Sequence, residues 1–298
     1  MSIPVAHVGA CTHHNDQPGS CDDGRMADLE LLDCGDGRRL ERFGDVIVDR
    51  PAPTANLEPH LPPPAWAKPT LRWAKSAWVR GAAHDPWPVR VAGLTLECRA
   101  AAGGQVGVFP EQAATWAWLD KSVRDAAVKL GRQPRVLSLF AYTGGATLAC
   151  ARAGASVAHV DSSRPALAWA RRNAELSGLT EAPIRWLVED ARVFVQRERR
   201  RGQTYDGVVL DPPSYGHGKG SWQIDDHLPA LLTDIAAIVG PKPSFIALSA
   251  HTPGYDGERL AGLIREHILV SGHGEALVTR SRAGATLALG AWARGPHR

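Results

Sequence analysis

From residue 134 to the C-terminal end the chain alternates between two kinds of segment, and that alternation limits its fold more than any other feature. Short leucine-rich or β-branched runs recur at Val136–Phe140, Ser156–Val160, Ile184–Val188, Gly207–Leu210 and Ser244–Ser249, each followed by ten to fifteen residues with helical spacing. Such β–α–β repetition builds a mostly parallel sheet covered by helices on both faces. The last two runs, Glu275–Thr279 and Ala285–Gly290, are joined only by Arg280–Gly284, which is too short for a crossover helix. They are therefore expected to form an antiparallel hairpin, giving a seven-stranded α/β sheet with an antiparallel edge.

The 298 residues are 44% hydrophobic and 22% charged, enough for a sizeable core, and no apolar run approaches the roughly 20 residues of a membrane helix. No basic segment followed by an apolar stretch opens the chain, so a cytoplasmic protein is expected. Residues 1–28 read as a flexible leader, 29–100 as a small β-rich module and 101–298 as the main domain. Within the module, strands are predicted at Leu29–Leu32 and Asp45–Val48 around an Asp36-Gly37 turn, and at Val89–Val91 and Leu94–Glu97 around Ala92-Gly93. The proline-dense stretch Pro51–Pro69 reads as a linker or a surface strap. Trp66, Trp73, Trp78 and Trp87 fit packing at a domain junction better than stacking on nucleic-acid bases. Cys11, Cys21, Cys34, Cys98 and Cys150 make an odd set without a CxxC pair, so reduced thiols are expected. Cys11, His13, His14 and Cys21 match no zinc spacing, and no metal is expected. The net charge of +3 identifies no polyanionic partner, and Arg192, Arg197, Arg199, Arg200 and Arg201 read as a solvated helix face.

In sheets of this kind ligands lie beyond the carboxyl ends of the strands, where strand order reverses. The first run ends in Phe140-Ala141-Tyr142-Thr143-Gly144-Gly145, whose paired glycines permit a tight turn and close backbone approach. The dinucleotide fingerprint GxGxxG is missing, which favours a nucleoside site over a pyrophosphate cradle and disfavours a nicotinamide oxidoreductase. The second run leads to Asp161, whose carboxylate can accept both hydrogen bonds of a ribose diol. The third leads to Glu189-Asp190-Ala191, where a carboxylate can accept from an adenine amino group. Asp161 and Asp190 can each also serve as helix caps.

The fourth run ends in Asp211-Pro212-Pro213-Ser214-Tyr215-Gly216, which resembles the fourth-strand motif of class I methyltransferases that use S-adenosylmethionine. Leu139–Gly145 is similar to their first motif. Phe109-Pro110-Glu111-Gln112 and Asp161-Ser162-Ser163 resemble elements of the bacterial 23S ribosomal RNA large-subunit methyltransferase family, which includes cytosine-C5 and guanine-N7 enzymes. The similarity runs from about Val106 to Ser249, and Leu31–Arg50 resembles the N-terminal module of members without an assigned substrate. It implies a Rossmann-like fold and S-adenosylmethionine as cofactor. Phe109, Gln112, Tyr142, Thr143 and Gly144 would surround the methionine end, with Phe140 and Gly145 in the same turn. Asp161 with Ser162 would hold the ribose, Asp190 with Ala191 would border adenine, and Asp211 would complete the cofactor set.

The chemistry of Asp211-Pro212-Pro213 agrees with that resemblance. Prolines lack N–H groups, so their carbonyls and the Asp211 carboxylate are expected to face the pocket as acceptors for an amine or a ring N–H. Asp211, Pro212, Pro213 and Tyr215 are the predicted catalytic residues, with Tyr215 able either to stack on a target ring or to pack in its loop. The glycine-spaced segment Tyr215–Trp222 suggests a flap, in which His217 and Lys219 could touch phosphate. Carbon-5 methylation of cytosine needs a cysteine nucleophile, and none follows the fourth or fifth run. A nitrogen of an RNA base, ribosomal RNA above all, is the preferred target, reached by base flipping. A small-molecule or protein substrate, and a non-catalytic cofactor-binding role, are the alternatives.

Overall fold

The computed structural model describes residues 28–80, 85–216 and 222–296. The leader with Cys11, His13, His14 and Cys21, and the 217–221 part of the expected flap with His217 and Lys219, lie outside those residues.

The N-terminal part is a five-stranded sheet of β1 (Leu29–Gly35), β2 (Arg38–Phe43), β3 (Val46–Pro51), β4 (Leu71–Ala74) and β5 (Ala77–Arg80), in that spatial order, with a one-turn helix α1 (Pro63–Trp66) before β4. Three strands stand where two were predicted before residue 50. The unforeseen β2 reads Arg-Arg-Leu-Glu-Arg-Phe and buries Arg39 and Glu41 beside Leu40. Those charges enter the interior as a group: Glu41 accepts from Arg50 at 2.6 Å and lies 3.4 Å from Arg39. The proline-dense stretch is a strap held at one end by buried Asp33, which accepts from the amides of Cys34, His60 and Leu61 and from the Trp66 indole at 2.8–3.2 Å.

A hairpin, β6 (Trp87–Val91) and β7 (Leu94–Cys98), follows, with Ala92 and Gly93 at φ 49° and 74° making the predicted turn. Trp87 is buried and donates to the Phe43 carbonyl at 3.0 Å, and Trp78 donates to the Ala101 carbonyl at 2.6 Å. These tryptophans join layers. Phe43, Val48 and Leu71 share one hydrophobic core with Leu96, Val108 and Val136.

Helix α2 (Ala113–Leu130) leads into the central sheet, formed by β8 (Arg135–Leu139), α3 (Gly145–Arg152), β9 (Ser156–Asp161), α4 (Arg164–Leu176), β10 (Ile184–Val188), α5 (Ala191–Arg200), β11 (Gly207–Leu210), α6 (Ile224–Val239), β12 (Phe245–Ala250), α7 (Gly257–Ile268), β13 (His273–Arg280) and β14 (Thr286–Gly295). The strand order is β10-β9-β8-β11-β12-β14-β13; the first five are parallel, and β14 runs antiparallel to both neighbours. Alternate residues serve opposite faces: Leu137, Leu139, Val208 and Leu210 pack with α5, α6 and α7, and Val136, Val209 and Phe245 pack with α2 and α3. The far end of the strap meets β14, where Thr54 donates to the Ala288 carbonyl at 2.7 Å. Arg197 and Arg199 pair with Glu189 and Asp234, so the arginine-rich α5 is an ion-paired surface. Among the described residues no helix is long and apolar enough to cross a membrane.

From β8 the chain steps outward through β9 to β10, then returns to lay β11 on the other side of β8. The loops leaving β8 and β11 diverge and open a crevice at this reversal.

Candidate functional site

The turn after β8 is shaped by the backbone. Phe140 and Tyr142 hold φ of 52° and 47°, left-handed conformations that cost a side-chain-bearing residue about 1–3 kcal/mol each. Several bonds enforce them. The Tyr142 amide donates to Asp161 Oδ2 at 2.8 Å, the Thr143 hydroxyl to the Gly107 carbonyl at 2.7 Å, and Asn173 to the Thr143 carbonyl at 2.8 Å. Gly145 opens α3 so close to the Trp116 ring that any Cβ placed there would overlap it.

Asp161, at the tip of β9, staples this turn to the next one, since its Oδ1 accepts from the Ser163 amide at 2.8 Å. The cap of α4 is Ser163, which accepts from the Ala166 amide. Burial pushes the Asp161 carboxyl above its ordinary range, against the pull of the two amides. Asp190 is placed differently. It caps α5 by accepting from the amides of Arg192 and Val193, at 2.8 and 3.2 Å, and pairs with the Arg192 side chain. Burial raises its pKa, but Arg192 and the two amides outweigh this and hold it low.

These loops enclose a cavity of about 930 Å³, within the upper part of the range typical of small-molecule sites. Phe109, Gln112, Phe140, Tyr142, Thr143, Gly144, Gly145, Asp161 and Ser162 line it, as do Asp211, Pro212, Pro213 and Tyr215. Asp190 and Ala191 are not among its lining residues. Phe109 and Tyr142 face each other with ring centres 5.8 Å apart.

Across the crevice, the acceptor side is a network of side chains. Asp211, just past β11, accepts from the Ser249 hydroxyl at 2.7 Å through Oδ1 and from the Gln112 amide at 3.4 Å through Oδ2. His251 Nε2 stands 3.6 Å from the same Oδ1. Burial opposes ionisation of Asp211, but the attraction of His251, with hydrogen bonds from Ser249 and Gln112, keeps it below the usual carboxylate range. Burial likewise pushes His251 down, and Asp211, Glu111 and the Leu289 carbonyl together raise it to about 9.

Ser249 and His251 are not among the predicted site residues. The rule that points to Asp161 and Asp211, inspection of strand ends, also reaches β12, where the sequence reading weighs only the missing cysteine. The Pro213 carbonyl accepts from the Trp222 indole at 2.6 Å, which engages one of its two lone pairs within the fold. Tyr215 is 71% exposed at the rim and so is not packed within its loop. Cys34, Cys98 and Cys150 are buried free thiols outside the cavity lining.

A family model described as S-adenosylmethionine-dependent methyltransferase matches residues 35–256. The ribosomal RNA large subunit methyltransferase I of Photobacterium profundum is 34% identical over 128 residues, covering 43% of this chain and 30% of that protein. Its counterpart from Aeromonas salmonicida is 38% identical over 97 residues, 32% of this chain and 24% of the relative. The chain thus matches only a quarter to a third of the length of these relatives. A solved S-adenosylmethionine-dependent methyltransferase from Agrobacterium tumefaciens is 37% identical, covers 91% of each chain and superposes with a TM-score of 0.85. The protein SMU.776, solved in complex with SAH, shares the fold at 17% identity and a TM-score of 0.72, covering 90% of this chain and 75% of that one.

Proposed function

The chain belongs to the S-adenosylmethionine-dependent methyltransferase family, and from that premise we propose that it methylates a nitrogen of an RNA base. The observation carrying the choice of atom is Asp211, an acceptor in the cavity lining held toward its ionised form, with no cysteine among the described lining residues to attack a pyrimidine ring. A carboxylate held ionised by Ser249, Gln112 and His251 suits an N–H donor and stabilises positive charge developing on the attacking nitrogen.

The residues present fit the cofactor. Asp161 keeps lone pairs toward the cavity after accepting two amides, which suits a ribose diol, and the Phe140–Gly145 turn brings backbone close enough to follow a nucleoside. Phe109, Gln112 and Tyr142 would hold the methionine end, and Ser162 the ribose, from the cavity lining. Asp190 and Ala191 border adenine from the tip of β10 if the ligand reaches beyond the cavity wall. When bound, the cofactor supplies an electrophilic methyl on a sulfonium. The protein's part is alignment: transfer needs the acceptor in line with that methyl at about 3–3.5 Å, and Asp211 below with Tyr215 at the rim can fix a flipped base there.

RNA as the substrate class rests on the curated relatives, which are named as ribosomal RNA methyltransferases, and on exposed Tyr215 as a stacking surface. The test is transfer of labelled methyl from S-adenosylmethionine to RNA from cells lacking the gene, followed by nucleoside mass mapping. An N-methylated nucleoside is expected. Label found only in protein or small molecules, or as 5-methylcytosine, overturns the reading.

A further inference from the structure

His251 is held in a way that its neighbours in the cavity do not explain. Its Nδ1 donates to the Leu289 carbonyl at 2.5 Å, which fixes the tautomer and leaves Nε2 as the titrating nitrogen. That nitrogen faces Asp211 Oδ1 at 3.6 Å. The approach is built by β14: Gly290 has φ 143°, and a Cβ there would overlap the Ala250 carbonyl and lie 3.1 Å from the His251 ring. Among the described residues few groups face the imidazole. Asp211 comes from the loop after β11, Glu111 from the turn before α2, the Leu289 carbonyl from β14, and the Phe109 ring stands 6.0 Å away. Among the described residues the ionisable groups facing it are carboxylates, which favour the protonated ring.

A cationic ring there opposes binding a sulfonium in the same cavity, because nearby like charges disfavour one another. The same cavity must later dispose of a proton, since a methylated N–H nitrogen is left positively charged. Both demands are met by one group that gives up a proton when the sulfonium enters and takes one back after transfer. We propose that His251 is the proton reservoir of the site, neutral beside the sulfonium and recharged, through Asp211, by the proton that the methylated nitrogen sheds. The balance is closed: the nitrogen lone pair forms the bond to the methyl carbon, the carbon–sulfur pair stays on sulfur, and the released proton ends on His251 Nε2. The cavity's net charge is then the same before and after transfer. The recharging step rests on the nitrogen-acceptor reading above, but the discharge on binding does not.

The experiment is calorimetric titration of the whole chain with S-adenosylmethionine and with S-adenosylhomocysteine, in buffers of different ionisation enthalpy at pH 7.5. The two ligands differ in the sulfonium charge. Up to about one more proton is expected to leave on binding the sulfonium ligand, and its affinity relative to the thioether should increase as pH rises toward the free-enzyme pKa, by up to about tenfold per pH unit. His251→Gln, which removes the titrating ring, should abolish the difference. Proton NMR titration of His251 in the two wild-type complexes reads the same quantity without a variant, with a lower pKa expected in the sulfonium complex. Equal proton release for both ligands in the wild type, a difference that survives in His251→Gln, or an unshifted His251 resonance overturns the proposal. A carbon-methylated product would instead overturn the nitrogen-acceptor reading while leaving the binding difference in place.

Discussion

The two walls of the cavity are built from different materials. On the β8–β9 side the shape is set by backbone: left-handed Phe140 and Tyr142, a carboxylate stapled to two amides, and a glycine pressed against Trp116. On the β11–β12 side it is set by side chains: Gln112 and Ser249 hydrogen-bond Asp211, and the charges of Asp211 and His251 depend on each other. The first wall can recognise a constant partner, since a fixed backbone offers one geometry. The second can respond to charge, which changes during methyl transfer. Binding and chemistry should therefore separate under mutation.

The largest effect is expected from Asp211→Ala. Removing one pre-placed charge partner of a transition state costs on the order of 10²–10³ in turnover. S-adenosylhomocysteine affinity should stay within about threefold, because the backbone wall is intact. Single-turnover rates and calorimetry together check this; turnover preserved with affinity lost would reverse the roles of the walls. Next is Asp161→Ala, which loses a charged acceptor and the staple of the Tyr142 turn. A hydrogen bond to a charged group is worth about 1.5–3 kcal/mol, so affinity should fall roughly 10–150-fold. Unchanged affinity in that variant would remove the ribose assignment.

Much of this site is legible in the amino-acid sequence, for reasons the residues show. The strands of the central sheet are apolar runs at helix-separated intervals, so their ends, and with them Tyr142, Asp161 and Asp211, can be located by rule. β2 escapes the same rule because its buried members include Arg39 and Glu41, whose burial depends on Arg50 from the next strand. Pairing across strands leaves no trace in local periodicity. His251 escapes because its significance is relational: a histidine after a strand is ordinary until Leu289 fixes one nitrogen and Asp211 faces the other. The engagement of the Pro213 carbonyl is hidden for the matching reason, as its donor, Trp222, comes from beyond the loop.

The walls should also separate under acid. Asp161 is held above the ordinary carboxylate range and Asp211 below it, so falling pH protonates Asp161 first. Protonation removes an acceptor from the ribose position, and affinity for S-adenosylhomocysteine should weaken at a higher pH than that at which Asp211 loses its charge. Calorimetry from pH 7 down to 4 follows the first event, and the Asp211→Ala variant should show it unaltered. If affinity instead tracks the loss of the Asp211 charge, the acceptor wall also carries cofactor binding.

The smallest effect tests where the backbone wall ends. Asp190 caps α5 and pairs with Arg192 outside the cavity lining, whereas adenine recognition would require it to face the ligand. Losing a cap costs about 0.5–2 kcal/mol, and asparagine caps about as well as aspartate. Asp190→Ala should therefore lower the unfolding free energy by roughly 1 kcal/mol, with Asp190→Asn close to wild type. If capping is its whole role, S-adenosylhomocysteine affinity follows neither substitution. If the carboxylate also accepts from adenine, both variants weaken binding, and Asp190→Asn does so without a loss of stability. Denaturant unfolding and calorimetry on the pair distinguish these outcomes, because the asparagine variant keeps the helix cap while removing the negative charge.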